Sequence, residues 1–283
     1  MDFAFEPGRV PLLVSIPHAG TDIPDDIAAR LTPAGLERAD TDWHLDRLYG
    51  FAAELGASVL AARWSRYVID LNRPPEDFNL YPGLDTTGLC PVDTFARAPL
   101  YLDELVPDQA ETGQRLARYW QPYHAQLQAE LNRLLAIHGR VVLWDAHSIA
   151  STVPRFFDGR LPDLNFGSAQ GASCAPALED VVLARARANG SFSIAHNGRF
   201  KGGYITRHYG RPDDLAALAL LLVLAQGPEW GWASPAVLGC AAAAVCLLAG
   251  WVAVELRVRH PLVDLRLLRR RPVLAANVTA CLV

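Results

Sequence analysis

Lysine is almost missing: of the 26 basic residues, Lys201 alone is not an arginine. Arginine therefore supplies every other permanent positive charge, and the single exception sits in a glycine-containing loop. Paired cysteines are missing too, since Cys90, Cys174, Cys240, Cys246 and Cys281 contain no C-x-x-C spacing. That argues against a thiolate zinc site and a disulfide framework, and it fits a reducing compartment. No apolar leader opens the chain, because "MDFAFEPGRV" carries an acid at position 2 and lacks a hydrophobic run. The first part of the chain is accordingly expected in the cytoplasm. Nor is there a basic surplus where a nucleic acid would need one: residues 1–214 hold 20 basic and 27 acidic side chains, a balance of −7. Residues 215–283 hold 6 basic and 3 acidic, a balance of +3, so the overall −4 conceals a split.

A hydrophobic fraction of 51% in 283 residues suffices for one large domain or two modest ones. From Pro11 to Ala195 short apolar runs alternate with longer amphipathic stretches, the pattern of an α/β domain. "PLLVSI", "ASVLAA", "RYVIDL", "RVVLWDA" and "SFSIAHN" read as strands. "TDWHLDRLYGFAAELGA" reads as a helix with Thr41 or Asp42 as N-cap and Gly56 as its stop. "DQAETGQRLARYWQPYHAQLQAELNRLLAIHG" predicts a long helix, or a pair meeting near Pro122, and "LEDVVLARARANG" a further one.

Past Asp214 the composition changes. Pro235–Val254, "PAVLGCAAAAVCLLAGWVAV", is 20 residues without a charge, and about 20 are needed to cross a bilayer. Trp230, Trp232 and Trp251 lie near its ends, and Arg257, Arg259, Arg266, Arg269, Arg270 and Arg271 follow it. These features predict a membrane span with its C-terminal side inward. Leu215–Pro228, read as a helix, reaches only about 21 Å and cannot span the bilayer.

Two histidines fall just past the carboxyl ends of predicted strands, where open α/β sheets place their sites: His18 after "LLVSIP" and His147 after "VVLWDA". With one nearby acid they make a two-histidine, one-carboxylate metal site with an open position for water. "DTDWHLDR" offers that acid as Asp42 or Asp46, one helical turn apart; capping and surface pairing are their alternative roles. Asp145 precedes His147 by two residues on the same strand face and suits a supporting or proton-transfer role. "IDLNRPPEDF" carries Asn72 and Arg73 into a proline-stiffened loop, and arginine is the side chain that grips carboxylates with two hydrogen bonds. "HNGRFKGGYITRHYGRP" gathers Asn197, Arg199, Lys201, Arg207, His208 and Arg211, either an anion site or a charged surface hairpin.

Taken in order, "SIPHAG", "TDWHLDRLY", "DLNRPPED", "WDAHSI", "LPDLNFG" and "NGRFKGGYITRHYGRP" resemble the N-formylglutamate amidohydrolase family over about residues 11–212. The resemblance implies a mixed sheet flanked by helices, similar to zinc carboxypeptidase-like hydrolases. It also implies cleavage of a small N-acyl amino acid, N-formyl-L-glutamate, to formate and glutamate, with one Zn²⁺ per domain. His18, Asp42 and His147 are its implied metal ligands. Asn72, Arg73, Lys201 and Arg207 are the implied substrate-binding residues, with Asp145, Arg207 and His208 as catalytic ones.

The resemblance also implies a glutamate soon after "RHYGRP", in a helix with a pattern like "ALQLELAQ", acting as general base. Here no glutamate occurs between Glu179 and Glu229. From about Leu215 the sequence instead resembles the 14-helix drug/proton antiporters of the major facilitator superfamily, through "GPEWGW", one span and "VELRVRHPLVDLRLLRRRPVLAANVTACLV". The chain thus reads as a hydrolase domain over 1–213, cut short of its base, joined to a transporter fragment over 214–283. Membrane association through 235–254 and weakened activity are expected. Two other readings compete: a transporter fragment with a non-catalytic soluble leader, and a metal-binding domain that is catalytically silent.

Overall fold

The computed structural model describes residues 2–224 except 104 and 189. Seven strands form one mixed sheet: β1 (Phe3–Glu6), β2 (Leu12–Ile16), β3 (Ser58–Ala62), β4 (Val141–Ala150), β5 (Leu164–Gly167), β6 (Ile194–His196) and β7 (Leu215–Leu224). Their spatial order is β1-β3-β2-β4-β7-β5-β6. β2 runs parallel to β3 and β4, β4 parallel to β7, and β5 parallel to β6, whereas β1 and β5 run antiparallel to β3 and β7. The largely apolar β2 suits a central parallel strand covered on both faces: residues 13–16 of it are buried, and the one polar side chain, Ser15, has its Oγ 2.9 Å from the Tyr123 hydroxyl.

The long helical stretch begins at Asp108, whose Oδ1 accepts the Glu111 amide at 2.8 Å. It runs as Gln109–Arg115, passes through a π-helical turn at Leu116–Trp120, and continues as Gln121–His138 to Gly139, which closes it at φ 72°. Pro122 sits at the start of the last segment, where a missing amide costs little. Tyr123, Leu127, Leu131 and Leu134 are buried in the core that also holds Leu13, Leu60 and Leu143 of the sheet.

Three local expectations are corrected. "RYVIDL" is no strand: Arg66–Val68 form a turn, and Tyr67, Val68, Ile69 and Leu71 are buried in the core without joining the sheet. Apolar runs record burial, and burial does not require a ladder. The helix expected from Thr41 is two short ones, Leu45–Leu48 and Phe51–Glu54, and the residue before the first is His44 at φ 65°. Asp42 is therefore free of capping.

The third correction is the largest. Leu215–Leu224, read as a helix stub, is β7, in register with β4 from Val141↔Leu215 to Ala150↔Leu224 and paired with β5 on its other side. An apolar run without polar punctuation has no period to separate a strand from a helix, so the neighbours decide. Met1–Ala225 form one compact unit. The expected membrane span and the rest of the transporter-like tail lie outside the described residues; among the described residues no helix is long and apolar enough to cross a membrane.

Candidate active site

Sheet geometry brings the two histidines together. β2 and β4 are parallel neighbours, with Ser15 beside Asp145, so His18 just beyond β2 and His147 near the end of β4 emerge on the same side. Their ring centroids are 5.0 Å apart. Asp42 is drawn in through its backbone, whose amide donates to the His18 carbonyl at 3.0 Å, and through the Ser148 amide, which donates to its Oδ2 at 3.2 Å. Asp46 is exposed, so of the two carboxylates Asp42 is the one in the site.

Each histidine is held by one nitrogen and turns the other toward Asp42. The Nε2 of His18 lies 2.7 Å from Asp70 Oδ1, and its Nδ1 lies 3.6 Å from Asp42 Oδ2. The Nε2 of His147 lies 2.9 Å from Asn72 Nδ2 and 3.2 Å from Asp145 Oδ1, and its Nδ1 lies 2.9 Å from Asp42 Oδ2. One ligating atom from each of His18, Asp42 and His147 can be chosen so that all lie within 4.8 Å of one another. This donor set fits a divalent ion: two imidazole nitrogens and one carboxylate, with carboxylates behind the histidines to orient the rings. Asp145 Oδ1 has no hydrogen-bond partner of its own although it is buried, so it is available to accept from the His147 ring.

The electrostatics reflect this crowding. Burial works against a charged His147, yet the Asp145 and Asp42 carboxylates beside it push its pKa up to about 10. Burial likewise opposes ionisation of Asp42 and Asp70, but hydrogen bonds from His147 and His18 hold Asp42 low, and His18 and Arg66 hold Asp70 well below the usual carboxylate range. Arg66 Nη2 is 2.6 Å from Asp70 Oδ2 and its Nη1 is 3.8 Å from Asp42 Oδ1.

A cleft opens over this cluster, lined by His18, Asp42 and His147 at one end and by Arg199 and Phe200 among others; Arg73, Tyr81, Ala219 and Leu221 also line it. Arg73 reaches Thr87 Oγ1 at 3.4 Å and lies 3.9 Å from Asp70, and burial lowers its pKa. Asn72, expected to bind substrate, lines the cleft, and its side chain also braces the site: its Nδ2 donates to Asp145 Oδ2 at 3.1 Å and its Oδ1 accepts the Ile205 amide at 2.7 Å. Asp145 is fully buried and does not line the cleft; Thr206 Oγ1 donates to its Oδ2 at 3.1 Å.

Three expected residues are not in the cleft. The helix Tyr204–Tyr209 turns Ile205, Thr206 and Tyr209 inward, and helical periodicity leaves the intervening positions facing elsewhere. His208 is exposed and stacks on Tyr204 at 4.7 Å. Arg207 Nε donates to the Gly202 carbonyl at 2.9 Å, with its guanidinium 5.2 Å from the Tyr81 ring centroid, behind the cleft wall. Lys201 does not line the cleft either, although its neighbours Phe200 and Gly202 do.

Asp70, Arg66 and Thr206 carry parts of the site that sequence reasoning missed. Asp70 closes the run "RYVID" much as Asp145 closes "VVLWD", but only the fold shows that it faces His18.

With the site in view, comparison with known proteins is informative. The N-formylglutamate amidohydrolase family matches residues 10–222. An N-formylglutamate deformylase of Pseudomonas aeruginosa is 52% identical over 210 residues, which is 74% of this chain and 79% of that protein. One from Pseudomonas putida is 49% identical over 209 residues, covering 74% and 78%. The crystal structure of an N-formylglutamate amidohydrolase from Ralstonia eutropha superposes with a TM-score of 0.67 at 28% identity, covering 78% of this chain and 85% of that one. A structure from Agrobacterium tumefaciens at 21% identity, with a TM-score of 0.61 over 78% and 84% of the two chains, shares the fold. A two-histidine, one-aspartate cluster beside parallel strands, in a cleft also lined by Asn72, Arg73, Arg199 and Phe200, together with these likenesses, places the chain in the N-formylglutamate amidohydrolase family.

Proposed function

We propose that this chain hydrolyses N-formyl-L-glutamate to formate and L-glutamate with one Zn²⁺ held by His18, Asp42 and His147. The observation that carries the reading is the convergence of these three side chains, with Asp70 and the Asp145–Asn72 pair behind the histidine rings. When bound, the ion polarises the formyl carbonyl and lowers the pKa of its water to about 7. The protein's part is positional. Asp70 and Asp145 keep the far nitrogen of each ring occupied, so that Nδ1 is the one presented. Arg73, half a strand-loop away and lining the same cleft, orients a carboxylate of the substrate. Apolar Leu221 and Ala219 keep the cleft floor dry under the substrate's carbon chain.

The proton-transferring group is the weak element. Set beside the family-like pattern "ALQLELAQ", residues 219–226 read "ALLLVLAQ", so Val223 stands where the glutamate is expected. Without it, formate release is slowed by about 10²- to 10⁴-fold. Residues 225–283 are proposed to be a separate transporter-like segment that associates with membranes through 235–254.

The test pairs zinc content of the purified full chain with formate release, assayed beside the Pseudomonas aeruginosa relative. One zinc per chain and slow but zinc-dependent turnover is the expected result. A chain that binds no zinc would end the metal reading, and turnover equal to the relative's would end the claim of a missing base.

A further inference from the structure

The cleft holds cations of very different standing. Arg66 is neutralised by Asp70 at 2.6 Å. Arg155, behind the wall, is neutralised by Asp85 at 3.0 Å and Asp93 at 2.7 Å, and Asp85, which does line the cleft, also takes Arg97 at 2.6 Å. Arg73 has Asp70 at 3.9 Å. Arg199 has no carboxylate partner among the described residues. Its Nε donates to the Phe156 carbonyl, and its guanidinium lies 5.6 Å from the Phe200 ring centroid and 6.0 Å from that of Tyr81. These contacts orient the group without using the two terminal nitrogens, the edge with which arginine grips a carboxylate.

Its place in the fold supplies the distance. Of the proposed metal ligands, His18 lies just beyond β2 and His147 on β4, with Asp42 brought to them from the segment before Leu45–Leu48, whereas Arg199 follows β6 in the loop whose Gly202 packs so closely on Gly167 of β5 that a Cβ there would clash. From β4 across β7 to β5 is two strand spacings, about 10 Å. Ala219 and Leu221 of β7, the strand between β4 and β5, line the cleft and offer an apolar surface suited to a two-methylene side chain, and Arg199 lines the same cleft.

Resting on the hydrolase reading above, we propose that Arg199 is the specificity-determining residue for the acidic side chain: its terminal nitrogens bind the distal carboxylate, while Arg73, nearer the metal end, takes the α-carboxylate. The site thereby selects N-acyl amino acids with a carboxylate two methylenes from Cα over neutral ones of the same shape.

Equilibrium binding to the zinc-loaded full chain tests this, using N-formyl-L-glutamate and its uncharged isostere N-formyl-L-glutamine. The wild type is expected to favour the glutamate form by roughly tenfold or more, as a charge-assisted bidentate contact implies. Arg199→Gln is expected to remove that preference, leaving formylglutamine affinity within about twofold, whereas Arg160→Gln, an exposed charge control, leaves the ratio intact. Zinc content of the same samples separates a lost contact from a lost fold. Should Arg199→Gln fail to fold, Arg199→Lys replaces it, and the ratio must fall below the wild-type value. An undiminished ratio in a folded Arg199 variant overturns this assignment alone; a wild type that binds zinc but neither ligand overturns the hydrolase reading with it.

Discussion

Asp70 shows how much a single buried carboxylate organises. Its Oδ1 takes the His18 ring at 2.7 Å and the Asn72 amide at 2.9 Å, while its Oδ2 takes Arg66 at 2.6 Å. Placing so many charges out of water is costly, so the cluster stands only while every member keeps its partners. Substituting Asp70→Asn is expected to weaken zinc binding by about 10- to 100-fold, measured by competition with a chelator, because the His18 ring loses its orienting carboxylate. Wild-type affinity in that variant would mean the ring is held without Asp70. His18→Ala or His147→Ala should abolish stoichiometric zinc, and a variant still carrying one ion per chain would remove that histidine from the ligand set. Both histidines were legible in the sequence because a strand end beside a histidine is a local signal. Asp70 was not, since its partner is far away along the chain.

Among the elements, β7 matters most to function. It lies between β4 and β5, pairing Leu221 with His147 and Val223 with Ile149, and its alternate residues Ala219 and Leu221 line the cleft. Val223 shares that face by the two-residue period of a strand. Val223→Glu is therefore expected to raise formate release by about 100-fold or more, and no gain from a folded, zinc-loaded variant would show that β7 does not carry the missing base. A second element-level device lies at the start of the long helix, where Glu111 ties Arg30 from the preceding region to Arg115 within the helix. Hydrogen bonds from Arg30, reinforced by Arg115, pull the Glu111 carboxyl down to about 2. A folded-state value below the unfolded one near 4.5 means that the stabilisation is present above pH 4.5 and is lost as pH falls toward 2. Glu111→Gln should cost about 1 kcal/mol near neutrality, or about 2–4 °C in Tm, discounted for partial exposure. The gap between wild type and variant should close in thermal melts taken from pH 4.5 to 2; a gap independent of pH would show that charge is not what Glu111 contributes.

For the whole molecule, the charge split and the change in composition past Asp214 pose a question of assembly. The sheet extends through β7, so the hydrolase-like unit reaches Leu224, and the family match to residue 222 agrees with that extent. If the proposed tail inserts, the full chain should stay with membranes after carbonate washing while a 1–224 fragment does not; full release of the complete chain would sink the membrane proposal. The sequence by itself determined the α/β class, the strand-end histidines and the family, because periodicity, caps and short motifs are properties of neighbouring residues. Only the tertiary structure decided that Asp42 and not Asp46 faces the histidines, and that Asp70 stands behind His18. It alone also shows that Arg199 and not Arg207, Lys201 or His208 lines the cleft, and that Leu215–Leu224 is a strand. Each of these depends on which distant segments pack against one another. An apolar run has no local reason to prefer a strand until β4 and β5 offer their open hydrogen-bonding edges on either side of it.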